Sequence, residues 1–214
     1  MEITRLRPWG AAAKSSARRA GEGTERESDI RVRSEVWFGQ SVGVIVRREV
    51  PADVVAARAV QVAAFSKQDA NDEPFEARLL DALRDCDDWI PALSIVAEVD
   101  DAVVGHVVTT RGVVGDTPVL GLGPIGVLPS HQGHGVGLAL MHASIGAADA
   151  LGEPLIALLG SPGYYARFGF IASTLIGVSA PEPEWGGHFQ VRTLTTYRPN
   201  IRGCFRYARP FDEV

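Results

Sequence analysis

The sequence predicts a mixed α/β fold, on three observations. Short apolar runs of strand length alternate with longer segments of helical spacing. Two of those runs are joined by Asp100-Asp101 alone, a hairpin signal. A strand–helix–strand order occupies 119–159, where Pro154–Leu159 is wholly apolar, as in a strand covered on both faces.

Order is expected to begin near Val42, with a first strand through Val46 followed by Arg47-Arg48-Glu49. Pro51-Ala52-Asp53 opens a helix to about Ser66, with an apolar stripe at Val54, Val55, Arg58, Val62 and Phe65. A second helix is expected over Glu73–Asp85. Ile95–Val99 and Val103–Arg111 are the hairpin strands. Val119–Val127 is a further strand, interrupted by Gly121, Gly123, Pro124 and Gly126, which are poor ladder formers. A bulge or a splay from the neighbouring strand is the expected outcome. Gly135–Leu151 has the length and apolar content of a buried helix that Gly152 ends. Tyr164–Phe168 fits one or two helical turns, and Leu175–Ser179, Gln190–Leu194 and Gly203–Tyr207 are weaker strand candidates.

Composition narrows the function classes. The 214 residues are 46% hydrophobic and 22% charged, ordinary for a globular chain, and the formal net charge is -5. No global positive field recruits nucleic acid. The first 35 residues hold eight basic and six acidic side chains; the remainder holds thirteen and twenty, an acidic body that mildly favours a cationic partner. Residues 1–40 are read as a disordered extension, because Ala11–Ser34 carries almost no large apolar side chain, and 41–214 as the folded domain. Two distant cysteines, Cys86 and Cys204, point to a reducing cytoplasm rather than a disulfide framework. No apolar run approaches the roughly 20 residues that span a bilayer.

The chemistry is expected at Gln132-Gly133-His134-Gly135-Val136-Gly137, between a strand and a helix. Alternating glycines let backbone N–H groups approach a ligand, and a helix start adds unpaired donors that favour a phosphate. A P-loop needs Lys-Ser/Thr after its last glycine, whereas Leu138-Ala139 follow Gly137. Gly121-Leu122-Gly123-Pro124-Ile125-Gly126 spells a dinucleotide fingerprint but lies inside a strand. His131, His134 and His142 lack a carboxylate or cysteine that would complete a metal set, so no metal is expected.

The 132–137 loop resembles the Q/R-x-x-G-x-G/A pyrophosphate loop of the GNAT superfamily of acyl-CoA N-acyltransferases. Leu122–Pro129 resembles that superfamily's fourth strand, and Gly163–Phe170 its fourth-helix segment. Leu159-Gly160-Ser161-Pro162-Gly163-Tyr164-Tyr165 is similar to a segment of predicted bacterial acetyltransferases, with Ser161 where an acid is common. The resemblance covers about 42–180 and is loose past 185. It implies acetyl-CoA as cosubstrate, direct attack by a small-molecule or peptide amine, and no nucleic-acid or membrane partner. A homodimer stays open. Carried over by position, Ile125, Gly126 and Val127 meet the pantetheine arm, with the amides of Ile125 and Val127 as the pairing groups. Gln132, Gly133, His134, Gly135, Val136 and Gly137 hold the pyrophosphate. Tyr165 is the implied general acid, for which a phenol of pKa about 10 facing a thiol near 8.5 is chemically reasonable. Tyr164 is its backup and, with Phe168, joins the cofactor wall; Phe168 also reads as core. The residues single out no general base among Glu73, Glu98 and His106. A fold that binds acyl-CoA without transfer is the alternative.

Overall fold

The computed structural model describes residues 43–66 and 72–213. The expected extension at 1–40 and the start of the first strand at Val42 lie outside the described residues. Strand β1 (Ile45–Arg48) is followed by a tight turn at Pro51–Asp53 and by helices α1 (Val54–Phe65) and α2 (Phe75–Arg84). Strands β2 (Ser94–Val99), β3 (Ala102–Val114) and β4 (Thr117–Val127) form an antiparallel meander. Asp100 and Asp101 both adopt left-handed backbone (φ 50° and 61°), the geometry of a two-residue hairpin turn.

Helix α3 (Val136–Ala150) crosses to β5 (Leu155–Leu159), which lies parallel to β4. A short helix α4 (Pro162–Tyr165) then leads into β6 (Ile171–Ala172), β7 (Val178–Ser179), β8 (Phe189–Thr193), β9 (Gly203–Arg206) and a last turn of helix, α5 (Pro210–Glu213). The sheet order is β1-β2-β3-β4-β5-β8-β6, with β9 added to the end of β3 and β7 paired to β9.

Three apolar clusters build the core. Leu140, Met141 and Ile145 of α3 cover Ile95, Val107, Leu120 and Ile156 on one face, together with Tyr165, Phe168 and Phe170. The other side is filled by Val119, Leu155, Phe189, Val191 and Phe205, and by Leu79, Leu80 and Leu83 of α2 against Val108.

Two expectations are corrected. The stripe proposed for α1 is not its buried face: Val55 is 81% exposed, and Ala57, Val60 and Gln61 face inward. α1 lies against Gly126, where an added Cβ would stand 2.7 Å from Gln61 Oε1 and 3.2 Å from the Ala64 Cβ, so the helix turns the face carrying Gln61 and the small residues toward the sheet. Leu175–Ser179 is not one strand either. Ser173–Ile176 forms a 3₁₀ turn, and the left-handed Gly177 (φ 77°) separates it from the two-residue β7. An extended run cannot pass through a left-handed residue.

Candidate active site

The interrupted strand does splay. β4 and β5 pair only at Leu120↔Ile156 and Gly121↔Ala157, and the chain from Leu122 to Val127 continues without β5 beside it. On its other edge β4 stays on β3, with Thr109 opposite Leu122 and Val107 opposite Ile125; the bulge holds Gly123 and Pro124.

The ladder fixes which backbone groups face the gap. Leu128 donates its N–H to Val104 C=O at 2.9 Å, which marks those two as a hydrogen-bonded pair. Antiparallel pairs alternate, so the amide groups of Gly126 turn toward β3. Those of Ile125 and Val127 turn the opposite way, into the gap. The Val127 carbonyl there accepts from Gln132 Nε2 at 3.0 Å.

The loop after β4 continues this polar rim. Gly133 and Gly135 are left-handed, at φ 79° and 87°, and a Cβ on either would meet nothing within 4 Å. The constraint at these two glycines is therefore backbone conformation and not crowding. Gly135 caps α3 with no side-chain hydrogen bond, and the first intrahelical bond runs from Ala139 N–H to Gly135 C=O at 2.9 Å. The N–H groups of Val136, Gly137 and Leu138 thus have no acceptor inside the helix. Gln132, Gly133, His134 and Gly135 are exposed, Gly137 is half-buried, and the Val136 side chain anchors the turn in the core. Three converging amides, a helix dipole and open space above two glycines suit a diphosphate, and outward strand amides suit an amide-bearing chain.

α4 supplies the aromatic groups. Pro162 starts it, and Tyr164 and Tyr165 leave it at right angles to each other, ring centroids 5.0 Å apart. The Tyr164 hydroxyl stands 3.1 Å from where a Gly137 Cβ would lie, so it borders the helix start. Arg167 stacks on the Tyr164 ring at 5.0 Å. The Tyr165 ring packs over Gly160, where a Cβ would overlap it, and makes an edge contact with Phe170. Burial pushes its phenol well above the ordinary range, with a smaller contribution from Tyr164. Phe168, expected at the cofactor wall, is 2% exposed and lies in the core beneath Tyr164 and His142.

Tyr207 was not anticipated. Its ring covers Gly121, where an added Cβ would stand 2.7 Å from Cδ1. Its phenol is also raised, by burial first and by the neighbouring Tyr165 second. Tyr165 belongs to the α3-side cluster and Tyr207 to the opposite one, and each ring packs on a glycine beside the splay, Tyr165 on Gly160 and Tyr207 on Gly121. Around Tyr207 a pocket is lined by Leu122, Leu159, Trp185, Phe75 and Phe211. The sequence offered one signal, the run of aromatics Phe205, Tyr207 and Phe211, but its distance from the loop hid the connection.

The three base candidates are engaged elsewhere. Glu73 pairs with Arg58 at 2.6 Å, and Glu98 pairs with Arg47, which also holds Asp53. His106 is fully buried, between Gln61 Nε2 (2.9 Å), Ser94 Oγ (3.0 Å) and Glu49 Oε2 (3.2 Å). Burial lowers its pKa, in part offset by Glu49.

Comparison with known proteins agrees with this geometry. The family model described as "Acetyltransferase (GNAT) family" matches residues 61–170. The chain is 33% identical over 147 residues to YjhQ of Escherichia coli K12, described as an uncharacterised N-acetyltransferase, covering 65% of this chain and 81% of YjhQ. A GNAT family acetyltransferase from Brucella melitensis, crystallised with acetyl-CoA, superposes with a TM-score of 0.64 at 32% identity, over 80% of this chain and 99% of that one. The fold is shared as well with Escherichia coli YhbS crystallised with CoA, at a TM-score of 0.72 and 24% identity over 80% and 93% of the two chains. With the model spanning half the sequence and the splayed sheet in place, the chain belongs to the GNAT acetyltransferase family.

Proposed function

We propose that this protein transfers an acetyl group from acetyl-CoA to a primary amine by direct attack. One observation carries the reading: the sheet opens after Gly121 and Ala157, and the amides of Ile125 and Val127 face that opening beside the amide-rich start of α3. The relatives crystallised with CoA and acetyl-CoA support the choice of donor. When bound, acetyl-CoA supplies an activated acyl thioester.

The chain's own groups have distinct tasks. N–H groups of residues 133–138 receive the diphosphate, and the outward groups of Ile125 and Val127 hold the arm extended along β4. A strand amide near Ile125 polarises the reacting carbonyl. Tyr164 lies against Gly137 and walls the entry. Burial holds the Tyr165 phenol in its protonated form, so it is available as a hydrogen-bond donor to the departing sulfur, whose proton it can supply as the thiolate develops. The folded unit is taken as 41–214, in the cytoplasm.

Thermal denaturation and free-thiol release test this reading. Acetyl-CoA at about a hundred times its Kd is expected to stabilise the fold by about 2.7 kcal/mol, a rise of about 5–10 °C in Tm. ATP and NAD should give no rise. Gly135→Val, which forces a branched side chain into left-handed backbone, should abolish the CoA-dependent rise. No rise with either form of CoA, or an undiminished one in Gly135→Val, overturns the proposal.

A further inference from the structure

We infer that the acceptor is an arylalkyl primary amine, bound in the aromatic pocket that Tyr207 shares with the splay. This rests on the transferase reading above and adds the substrate class.

The pocket's floor is the opening in the sheet itself. Leu122 is the first residue of β4 past its last pairing with β5, and Leu159 is the end of β5 past the same point. Tyr207 spans the two, over Gly121 and next to Tyr165. The floor thus borders the reacting centre: Leu122 leads along β4 to Ile125, and Leu159 precedes Gly160, against which the Tyr165 ring packs.

The walls are rings: Tyr207 stacks on Phe211 with centroids 4.4 Å apart and meets Trp185 edge-on at 6.3 Å. Such walls suit a flat apolar body better than a sugar or a peptide, whose many hydroxyls and amides would lose water for few partners among the rings. A polyamine would carry further charges into the same rings. Water exclusion also lowers an ammonium's pKa, so an amine that enters is pushed toward its neutral, nucleophilic form.

The rim selects the charge on arrival. Glu182 and Asp212 are exposed at the pocket edge, and neither has an ion-pair partner among the described residues. Arg206, the cation on the same rim, donates to Gly115 C=O at 3.3 Å. Two free carboxylates attract the protonated amine, and ring faces stabilise a cation in passage. In the reaction the amine nitrogen bonds to the acetyl carbon as the C–S bond breaks. The arriving ammonium gives one proton to solvent before attack and a second as the amide forms; the thiolate takes a proton from Tyr165, which regains one from solvent.

The test uses the full chain and two readouts. Calorimetric titration of 2-phenylethylamine into the protein measures binding without turnover, and free-thiol release with acetyl-CoA compares it with spermidine, kanamycin and an alanyl dipeptide. Expected is saturable binding of 2-phenylethylamine and a kcat/KM at least tenfold above each of the other three. Trp185→Leu and Phe211→Ala should weaken amine binding at least tenfold while leaving the acetyl-CoA Tm rise intact. The Glu182→Gln/Asp212→Asn double variant should lower kcat/KM and flatten its salt dependence. Preference for any of the other acceptors, or no binding of 2-phenylethylamine to wild type, overturns the acceptor class while the acetyl-CoA Tm rise still stands. Loss of that rise in wild type overturns the transferase reading itself.

Discussion

Two glycines set where the tyrosines stand. Gly160 leaves room for the Tyr165 ring, and Gly121 leaves room for Tyr207. Gly160→Ala drives a methyl into the Tyr165 ring, so the ring and its phenol must shift from their present place. We expect a stability loss of about 1–3 kcal/mol from overpacking. We also expect a kcat loss comparable to that of Tyr165→Phe, with acetyl-CoA binding kept. Tyr165→Phe itself removes only the hydroxyl. Its kcat should fall by about a hundredfold or more, with the KM for acetyl-CoA within about twofold. Steady-state kinetics on both variants check this, and a wild-type kcat in Tyr165→Phe removes the phenol from the proton path. The motif made Tyr165 legible by position alone. Its neighbour Tyr207 was not legible, because 42 residues separate them in the chain and only the closing of β9 onto β3 brings them together.

Among the elements, β1, β2, β3 and α2 share a buried polar chain under the sheet. Glu49 lies in it with its side chain 5% exposed, pairing with Arg84 at 2.5 Å and accepting from His106 and Ser94. Burial alone would raise the Glu49 pKa. The hydrogen bonds from His106, Arg84 and Ser94 outweigh it and bring the carboxyl down to about 2. His106 moves down as well, so the folded protein holds a neutral imidazole beside an ionised carboxylate. Both shifts act in one direction with pH. Below about 6.5 the unfolded chain takes up a proton at His106 that the fold refuses, and below 4.5 it protonates Glu49 while the fold stays ionised down to about 2. Stability is therefore expected to fall steadily on acidification from neutral pH. His106→Gln should flatten the upper part of a Tm–pH curve; an unchanged slope in that variant contradicts the assignment. Glu49→Gln leaves the half-buried Arg84 without its carboxylate, with its buried Nε and Nη2 already lacking hydrogen-bond partners. It should cost about 3 kcal/mol or more in urea denaturation at neutral pH. His106 is held by Gln61 of α1, Ser94 of β2 and Glu49 just past β1, inside the meander that carries β4.

For the molecule as a whole, the site lies where two halves of one sheet part. Among the described residues the antiparallel β1–β4 meander and the β5-β8-β6 group share only two ladder pairs, between β4 and β5, and side-chain packing joins the rest. No described helix is long and apolar enough to cross a membrane. In the proposed reaction, donor and acceptor approach the gap from different sides, the donor over the start of α3 and the acceptor through the ring-lined pocket around Tyr207. A ligand that spans the gap should couple the two halves. Amide hydrogen exchange is expected to slow in both β4 and β5 on binding acetyl-CoA; protection confined to the 132–138 loop would mean the arm does not enter the sheet.

What the sequence determined by itself was local: the interrupted strand, the glycine turn, the helix after it, and the tyrosine two residues before Arg167. Each is a matter of short-range backbone preference or of residue spacing within one motif. Only the tertiary structure decided the depth of the splay, the direction of the Ile125 and Val127 amides and the buried face of α1. It also decided the union of Leu122, Leu159, Trp185, Tyr207 and Phe211 in one pocket. Those depend on register and on contacts between distant segments, and a single chain read in order carries no measure of either.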